Sequence, residues 1–165
     1  MSESKPKADT AKKRPKTAMR ALRPDDIDQV VAIDTRITGR SRRGFFEKRL
    51  AAALADPGAF IYVGAATGKA LDGYAFARIL EGEFGGTAPV AVLDAIGVDP
   101  ARQGTGLGRK LMDRLDEVMR SKGVHELQTQ EVWTNQAFLA FLAGAGFEVA
   151  PRQILELAVA DAAGF

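Results

Sequence analysis

Apolar and polar residues follow two periods along this chain, and the changes from one period to the other predict its secondary structure. Five segments have the alternating or continuous apolar pattern that is typical of strands: 17–23, 60–65, 71–80, 90–98 and 126–132. Four segments repeat apolar residues three and four positions apart, as helices do: 24–38, 41–55, 107–119 and 135–143. The second of these helices is expected to be capped by Ser41, and its apolar stripe consists of Phe46, Leu50, Ala53 and Leu54. A last pair of strands is expected at 147–150 and 153–159. This order predicts an α/β domain with a mixed, mostly antiparallel central sheet flanked by helices.

The loop between the fourth strand and the third helix is the strongest candidate site. Asp99-Pro100 is a turn signal that closes the strand, and Gly104, Gly106 and Gly108 lie where strand becomes helix. Glycines let backbone N–H groups approach a ligand closely, and a helix start is the positive end of the helix dipole. We therefore expect this loop to bind an anion, in the first place a phosphate. A glycine-rich turn without a ligand is the alternative.

Two common phosphate-binding motifs do not fit the loop. A Walker-type loop ends in Gly-Lys followed by Ser or Thr, whereas Arg109, Lys110 and Leu111 follow Gly108 here, so the magnesium-binding hydroxyl is missing. The dinucleotide fingerprint Gly-x-Gly-x-x-Gly opens an early βαβ unit, whereas this chain has Gly-x-Gly-x-Gly past its midpoint.

The spacing Gln-x-x-Gly-x-Gly at Gln103, Gly106 and Gly108, preceded by Val-Asp-Pro, resembles the loop of the GNAT N-acetyltransferase superfamily. A second match runs from Asn135 to Phe147 and resembles the late helix of that superfamily. The resemblance covers about residues 17–159. It implies the GNAT-like acyl-CoA N-acyltransferase fold, acetyl-CoA as cosubstrate, and transfer of the acetyl group to a primary amine.

The resemblance also implies where the cofactor binds. In this superfamily the loop binds the pyrophosphate, and the pantetheine arm lies where the central and fifth strands diverge. Gly97 is a plausible site for the bulge that opens the strand. The expected cofactor-binding residues are Ile96, Gly97, Val98, Arg102, Gln103, Gly104, Thr105, Gly106, Leu107, Gly108, Arg109, Asn135, Phe138 and Phe141.

Two carboxylates are the candidate catalytic groups, because the acceptor ammonium must lose a proton before it attacks. Asp94 is an acid inside an otherwise apolar strand, which is costly unless the group is paired or neutral. Glu131 lies near the end of the neighbouring strand. Either could act as general base, directly or through water. A structural hydrogen bond to a loop for Asp94 and a solvated strand end for Glu131 are the alternatives.

The acceptor site is expected near the segment that joins the first two helices, as in the superfamily. Asp34, Arg40, Glu83 and Trp133 are the candidate acceptor contacts, and a solvated basic loop or a partly buried aromatic is the alternative. The carboxylates favour a cationic acceptor, either a small amine or a peptide N-terminus or lysine. Many superfamily members have a tyrosine seven residues after the asparagine that protonates the leaving thiolate; here that position is Leu142.

Composition limits the other classes of site. The chain has 165 residues, no cysteine and one histidine, so one domain without a disulfide framework or metal centre is expected. No apolar run is long enough for a membrane span, which leads us to expect a cytoplasmic enzyme without a membrane partner. Homodimers are common in the fold, so one is expected here.

The first twenty residues have seven basic residues against two acidic ones, although the whole chain has a net charge of only +2. We expect a disordered basic tail at 1–16 and the acetyltransferase domain at 17–165. We expect this tail to be solvated, and a nucleic-acid or ribosome contact is the alternative. The rival functions are therefore a catalytically weak or silent acyl-CoA-binding module, and a ribosome- or nucleic-acid-associated protein that uses the tail.

Overall fold

The computed structural model describes residues 16–158, which form two compact units, 16–130 and 131–158. The expected basic tail lies outside the described residues except for its last residue. None of the helices in the described part is long and apolar enough to cross a membrane. Across the same residues, no group of three or more His, Asp or Glu side chains is arranged to bind a metal ion.

The first unit is a five-stranded sheet with three long helices. Its elements are β1 Thr17–Ala21, α1 Ile27–Thr38, α2 Arg43–Ala55, β2 Phe60–Thr67, β3 Ala70–Glu81, β4 Pro89–Val98, α3 Leu107–Ser121 and β5 Leu127–Gln128. Short 3₁₀ turns lie at Pro24–Asp26, Glu83–Gly85 and Pro100–Arg102. The strand order is β1-β2-β3-β4-β5, with three antiparallel pairs and one parallel pair between β4 and β5. The predicted mixed, mostly antiparallel sheet is confirmed.

The helices of the first unit cover opposite faces of the sheet. Phe46 of α2 packs edge-on against Tyr74 of β3, with ring centroids 5.4 Å apart. A Cβ at the preceding residue, Gly73, would instead lie 3.0 Å from Leu111 of α3. Neighbouring residues of a strand point to opposite faces, so α2 and α3 lie on opposite sides of β3. Tyr74 and Phe46, the two largest of the fully buried side chains, therefore lie on the α2 face.

The bulge in β4 is at Asp94 and not at Gly97, where it was predicted. The β3–β4 register shifts at this point, because Phe76 pairs with Ala95 whereas Ala77 pairs with Leu93. Asp94 is thus the extra residue. Gly97 pairs regularly with Tyr74. Packing explains why this residue is glycine, since an added Cβ would lie 2.8–2.9 Å from three atoms of the Tyr74 side chain.

We expect Gly97→Ala to lower the free energy of unfolding by about 2 kcal/mol, because overpacking a core costs about 1–3 kcal/mol. Tyr74 is fully buried and cannot move away without disturbing Phe46. Urea unfolding would measure the effect. Gly44→Ala is the matched control, because an added Cβ there meets nothing within 4 Å and Ala favours the helix. Equal stability of the two variants would contradict the packing argument.

Asp26 fixes the start of the first helical segment. Its carboxylate accepts hydrogen bonds from Arg20 Nη1 and Nη2, at 2.6 and 2.8 Å, and from the backbone N–H of Arg23, at 2.7 Å. The side-chain hydrogen bonds from Arg20 hold the pKa of Asp26 below its usual value, despite the opposing effect of burial. The ionised form is therefore the one that the fold stabilises.

The stabilisation by Asp26 is expected to depend on pH. A carboxylate whose pKa is lower in the folded state stabilises the fold above its unfolded pKa of about 4, and this contribution is lost as the pH falls through the folded pKa. At pH 7 we expect Asp26→Asn to be about 2 kcal/mol less stable than the parent, as for charge-assisted hydrogen bonds. Unfolding curves between pH 7 and pH 2 should show this difference shrinking below about pH 4. A constant difference would contradict the assignment.

The second unit consists of one helix and irregular chain. The helix, α4, spans Gln136–Gly144, and Asn135 caps it by accepting a hydrogen bond from the N–H of Phe138 at 3.4 Å. The predicted strand pair at 147–150 and 153–159 is wrong as far as residue 158, because no strand is present in the described part of it. Val149, Ile154, Leu155 and Leu157 are exposed, so their apolar pattern has no sheet to bury it.

Three further predictions differ from the structure. The fifth strand is only two residues long, not 126–132, because its ladder with β4 ends at Gln128. Leu54, predicted on the buried stripe of α2, is 52% exposed. The residue before α2 is Arg42, not Ser41, and it makes no side-chain cap.

Candidate functional site

The loop after β4 is held in shape by its own side chains. Asp99 accepts a hydrogen bond from the N–H of Ala101 at 3.0 Å, and the Thr105 hydroxyl donates to the carbonyl of Arg102 at 2.6 Å. The Gln103 amide donates to the carbonyl of Val98 at 3.1 Å. These bonds fix the path of the backbone from the end of β4 to the start of α3.

The start of α3 is open to a ligand. Gly104 and Gly106 have φ angles of 74° and 79°, in the left-handed region that favours glycine. Gly106 is the N-cap, so no side chain covers the first amides of α3, and the site of its missing Cβ has no atom within 4 Å. Free N–H groups at the positive end of a 15-residue helix fit a diphosphate. The residues present therefore fit the diphosphate of coenzyme A.

The basic side chains of the loop point elsewhere. Arg102, predicted to contact the pyrophosphate, donates to the Thr17 hydroxyl of β1 at 3.0 Å, and its Nε lies 3.7 Å from Asp72 of β3. This guanidinium ties the loop to the sheet, so the Arg102 side chain is partly engaged within the protein. Arg109 forms an exposed ion pair with Asp113, one turn further along α3, at 3.2 Å.

The lower half of β4 has an uncovered edge. Its ladder with β5 ends at Val92 and Gln128, and the Thr129 hydroxyl then donates to the carbonyl of Leu93 at 3.0 Å. Residues 96–98 have no strand on that side within residues 16–130. The backbone groups that the sequence assigned to the pantetheine arm, at Ile96, Gly97 and Val98, therefore lie along an open edge that leads to the loop.

Asp94 is an ion-paired carboxylate. Its Oδ1 lies 3.1 Å from Nε of Arg78, and its Oδ2 lies 3.0 Å from Nε of Arg49. The Asp94 side chain is only 8% exposed. Pairing to two arginines explains how an acid is tolerated inside an apolar strand. The partners come from β3 and α2, and not from a loop as the structural alternative supposed.

Asp34, predicted to contact the acceptor, is buried instead. Arg42 donates to both of its oxygens, with Nε 2.9 Å from Oδ2, and the Tyr74 hydroxyl donates to Oδ1 at 2.8 Å. The Asp34 side chain is 2% exposed. Hydrogen bonding to Asp34 raises the pKa of Arg42, and burial raises the pKa of Tyr74. This cluster joins α1, α2 and β3, and it leaves Tyr74 unable to act as a proton donor in the cleft.

The remaining predicted acceptor and catalytic residues are exposed. Arg40 follows α1, and Glu83 lies in a 3₁₀ turn. In the second unit, Trp133 is 81% exposed, and Glu131 accepts a hydrogen bond from the N–H of Val132 at 2.9 Å.

The other predicted cofactor-binding residues of the second unit, and the position where the superfamily has its tyrosine, lie on α4 or at its N-cap. Phe138 and Phe141 stack with their centroids 6.0 Å apart, and both are half-buried. The side-chain oxygen of Asn135 accepts the hydrogen bond that caps α4. Leu142, at the position of the superfamily's tyrosine, is buried, so a leucine there has a packing role.

The comparison with protein families decides what this architecture is. The model of the acetyltransferase (GNAT) family matches residues 22–147, which include strands β2 to β5, the loop and α4. The chain belongs to the GNAT acetyltransferase family. GNAT enzymes use acetyl-CoA as cosubstrate, in agreement with the open helix start and the uncovered edge of β4.

One sequence relative of this chain is an N-alpha-acetyltransferase. A region of 89 residues is 40% identical to the N-alpha-acetyltransferase RimI of Mycobacterium tuberculosis (strain ATCC 25618 / H37Rv), and covers 53% of this chain and 51% of that protein. The match thus spans about half the length of that relative.

Solved structures support the fold. An aminoglycoside antibiotic 6′-N-acetyltransferase from Acinetobacter haemolyticus has a TM-score of 0.71 at 16% identity, over 87% of this chain and 99% of that one. A transcriptional regulator from Bacillus halodurans C-125 also has a TM-score of 0.71, at 18% identity, over 87% of this chain and 100% of that one. At these identities the likeness shows the fold alone.

Sequence reasoning missed the partners of the buried acids. Arg49 and Arg78 were not singled out, although an acid inside an apolar strand signals that a cation lies nearby. Only the strand register and the position of α2 identify which arginines these are. Asp72, which lies beside Arg102, was missed for the same reason.

Proposed function

We propose that this chain transfers the acetyl group of acetyl-CoA to a primary amine, and that the amine is the N-terminus of a peptide. The open start of α3 beyond Gly106 carries the cofactor part of this proposal. The match to an N-alpha-acetyltransferase supports the acceptor part, although it covers about half of that relative. Acetyl-CoA supplies an activated acyl group with a thiolate of moderate pKa as leaving group.

The residues of the chain have three tasks in this proposal. The amides at the start of α3 bind the diphosphate, and the backbone of residues 96–98 hydrogen-bonds the arm along the open edge of β4. A backbone N–H of β4 near the bulge at Asp94 would stabilise the oxyanion as the amine attacks. Positioning of this kind supplies much of the rate enhancement of an acyl transfer.

Of the two carboxylates that the sequence offered as general base, Asp94 is engaged by two arginines, so we propose Glu131 for proton removal. The choice of acceptor makes this task easier. A peptide α-amino group has a pKa of about 8 and is about half neutral at pH 8, whereas a lysine amine has a pKa of about 10.4 and is almost wholly charged. A site with one exposed carboxylate as base is therefore better suited to an N-terminus than to a lysine.

We expect Glu131→Gln to lower kcat/KM for a peptide N-terminus by about threefold at pH 8 and by about 30-fold at pH 6, because the base is needed most when the amine is charged. The measurement is the pH profile of thiol release. Glu148→Gln is the control, an exposed acid of the same unit. A profile unchanged by Glu131→Gln would remove this residue from the mechanism.

Thiol release with a panel of amines tests the proposed function itself. The panel should contain free peptides, the same peptides with blocked N-termini and internal lysines, and small amines. We expect turnover only with free N-termini. Turnover of small amines alone would show that the acceptor assignment is wrong, and absence of turnover with every amine would reject the enzyme activity.

A second candidate function is an acyl-CoA-binding module that does not catalyse transfer. Leu142 favours it, because a buried leucine cannot protonate the leaving thiolate. General acid catalysis typically contributes about 10²–10⁴-fold, so its absence slows transfer without forbidding it. The module would bind acetyl-CoA in calorimetry and release no thiol with any amine, whereas the enzyme would do both.

A further inference from the structure

Arg49 and Arg78 form a positive site around the bulge of β4. Arg49 comes from α2 and Arg78 from β3, and their Nε atoms lie 3.0 and 3.1 Å from the two oxygens of Asp94. Two guanidinium groups around one carboxylate leave one positive charge uncompensated. Arginine stays charged in proteins, so this surplus is present at every working pH.

The outer ends of both arginines are open. The exposed fractions of the side chains are 28% for Arg49 and 37% for Arg78, against 8% for Asp94. Each arginine contacts Asp94 through its Nε, and within residues 16–130 the terminal amino groups of both arginines donate no hydrogen bond. The guanidinium of Arg49 lies 5.4 Å from the ring centroid of Phe45, which limits its movement. The two groups are thus held in place with donors to spare.

The position of this pair along β4 places it on the acceptor side of the proposed reaction. The diphosphate loop follows Val98, at one end of the open edge, and Asp94 lies four residues earlier. Four residues of strand span about 13 Å. An arm that runs from the loop along this edge brings its acyl end towards the bulge. The acceptor must meet the acyl group there, near the face that α2 covers.

We propose that Arg49 and Arg78 bind a carboxylate of the acceptor, so that the preferred acceptors are peptides with an acidic residue directly after the free N-terminus. This rests on the proposed function, which names the N-terminus but not its neighbour. Guanidinium groups bind carboxylates through paired hydrogen bonds, which fixes orientation as well as charge. The inference reverses the expectation of a cationic acceptor, because the carboxylates Asp34 and Asp94 are both neutralised by arginines.

The test compares three peptides that differ only at the second residue, Ala-Asp, Ala-Ala and Ala-Lys, with the full chain and saturating acetyl-CoA. We expect kcat/KM to be about tenfold higher for Ala-Asp than for Ala-Ala, mainly through KM, and lowest for Ala-Lys; tenfold corresponds to about 1.4 kcal/mol. In Arg49→Gln and Arg78→Gln the Ala-Asp to Ala-Ala ratio should fall towards one. Lys48→Gln, a change at the exposed neighbour of Arg49, should keep the parent ratio.

Calorimetry of the Ala-Asp peptide with the enzyme–coenzyme A complex separates the two proposals. Arginine-dependent peptide binding without thiol release would support the acceptor site and reject the transferase activity. Thiol release from all three peptides at equal rates would support the transferase and overturn the acceptor site. The Ala-Asp to Ala-Ala ratio of kcat/KM in the parent enzyme tests the inference even where a variant fails to fold. A parent enzyme that prefers Ala-Lys would also overturn the inference.

Discussion

Gly106→Glu is expected to weaken coenzyme A binding by at least about 100-fold. The new carboxylate would stand at the head of α3, where the proposed diphosphate binds. Two unit charges about 5 Å apart repel by about 3 kcal/mol at an effective dielectric constant of about 20, which is more than 100-fold in affinity. The added side chain also fills the open space beside Gly106. Calorimetry with coenzyme A measures the loss.

The control for this variant is Gly123→Glu. Gly123 lies just beyond the other end of α3 with a φ angle of 71°, close to the 79° of Gly106, and its missing Cβ also meets no atom within 4 Å. Both variants therefore place a glutamate in the same unfavourable backbone conformation. We expect Gly123→Glu to bind coenzyme A as the parent does. Equal affinity of the two variants for coenzyme A would contradict diphosphate binding at this loop, and with it the proposed function.

Arg42→Met is expected to lower the free energy of unfolding by about 3 kcal/mol, the lower end of the range for breaking a buried ion pair. The change keeps an apolar stem beside Phe46 but leaves the carboxylate of Asp34 with only the Tyr74 hydroxyl as partner. A buried charge without its counter-ion is strongly unfavourable. Urea unfolding measures the loss.

The neighbouring arginine provides the control. Arg43 also forms ion pairs, with Asp28 and Glu47, but all three side chains are largely exposed, and such pairs contribute little. We expect Arg43→Met to leave stability nearly unchanged. Adding Asp34→Asn to Arg42→Met should recover part of the loss, because it removes the unpaired charge. A double variant less stable than Arg42→Met alone would contradict this explanation.

Local sequence predicted the parts of the fold that depend on backbone preference and short-range contacts. The start of the first helical segment at Pro24, the end of α1 at Gly39, and the start of the last helix at Asn135 all follow from residues a few positions apart. The glycine loop before α3 belongs to the same class. Its proposed function as an anion site depends on the helix start and on missing side chains, and both are visible in the sequence.

Long-range packing decided the rest. The bulge falls at Asp94 because the register of β3 against β4 shifts there, and Gly97 is needed for the ring of Tyr74. The apolar pattern from residue 147 onwards predicted two strands that are absent from the described residues. A strand needs a neighbouring strand to pair with, and the apolar pattern does not show whether one is present.

The sequence by itself determined the order of the elements, the family to which the motifs point, and the loop that fits a diphosphate. Only the tertiary structure decided which acids are free. Asp34 meets Tyr74 forty residues later, and Asp94 meets Arg49 from another helix, so neither offers the negative charge that its sequence suggested. The physical reason is that the pairing of a carboxylate depends on its neighbours in space. A buried carboxylate must pair with a cation to be tolerated, and local sequence does not identify which cation that is.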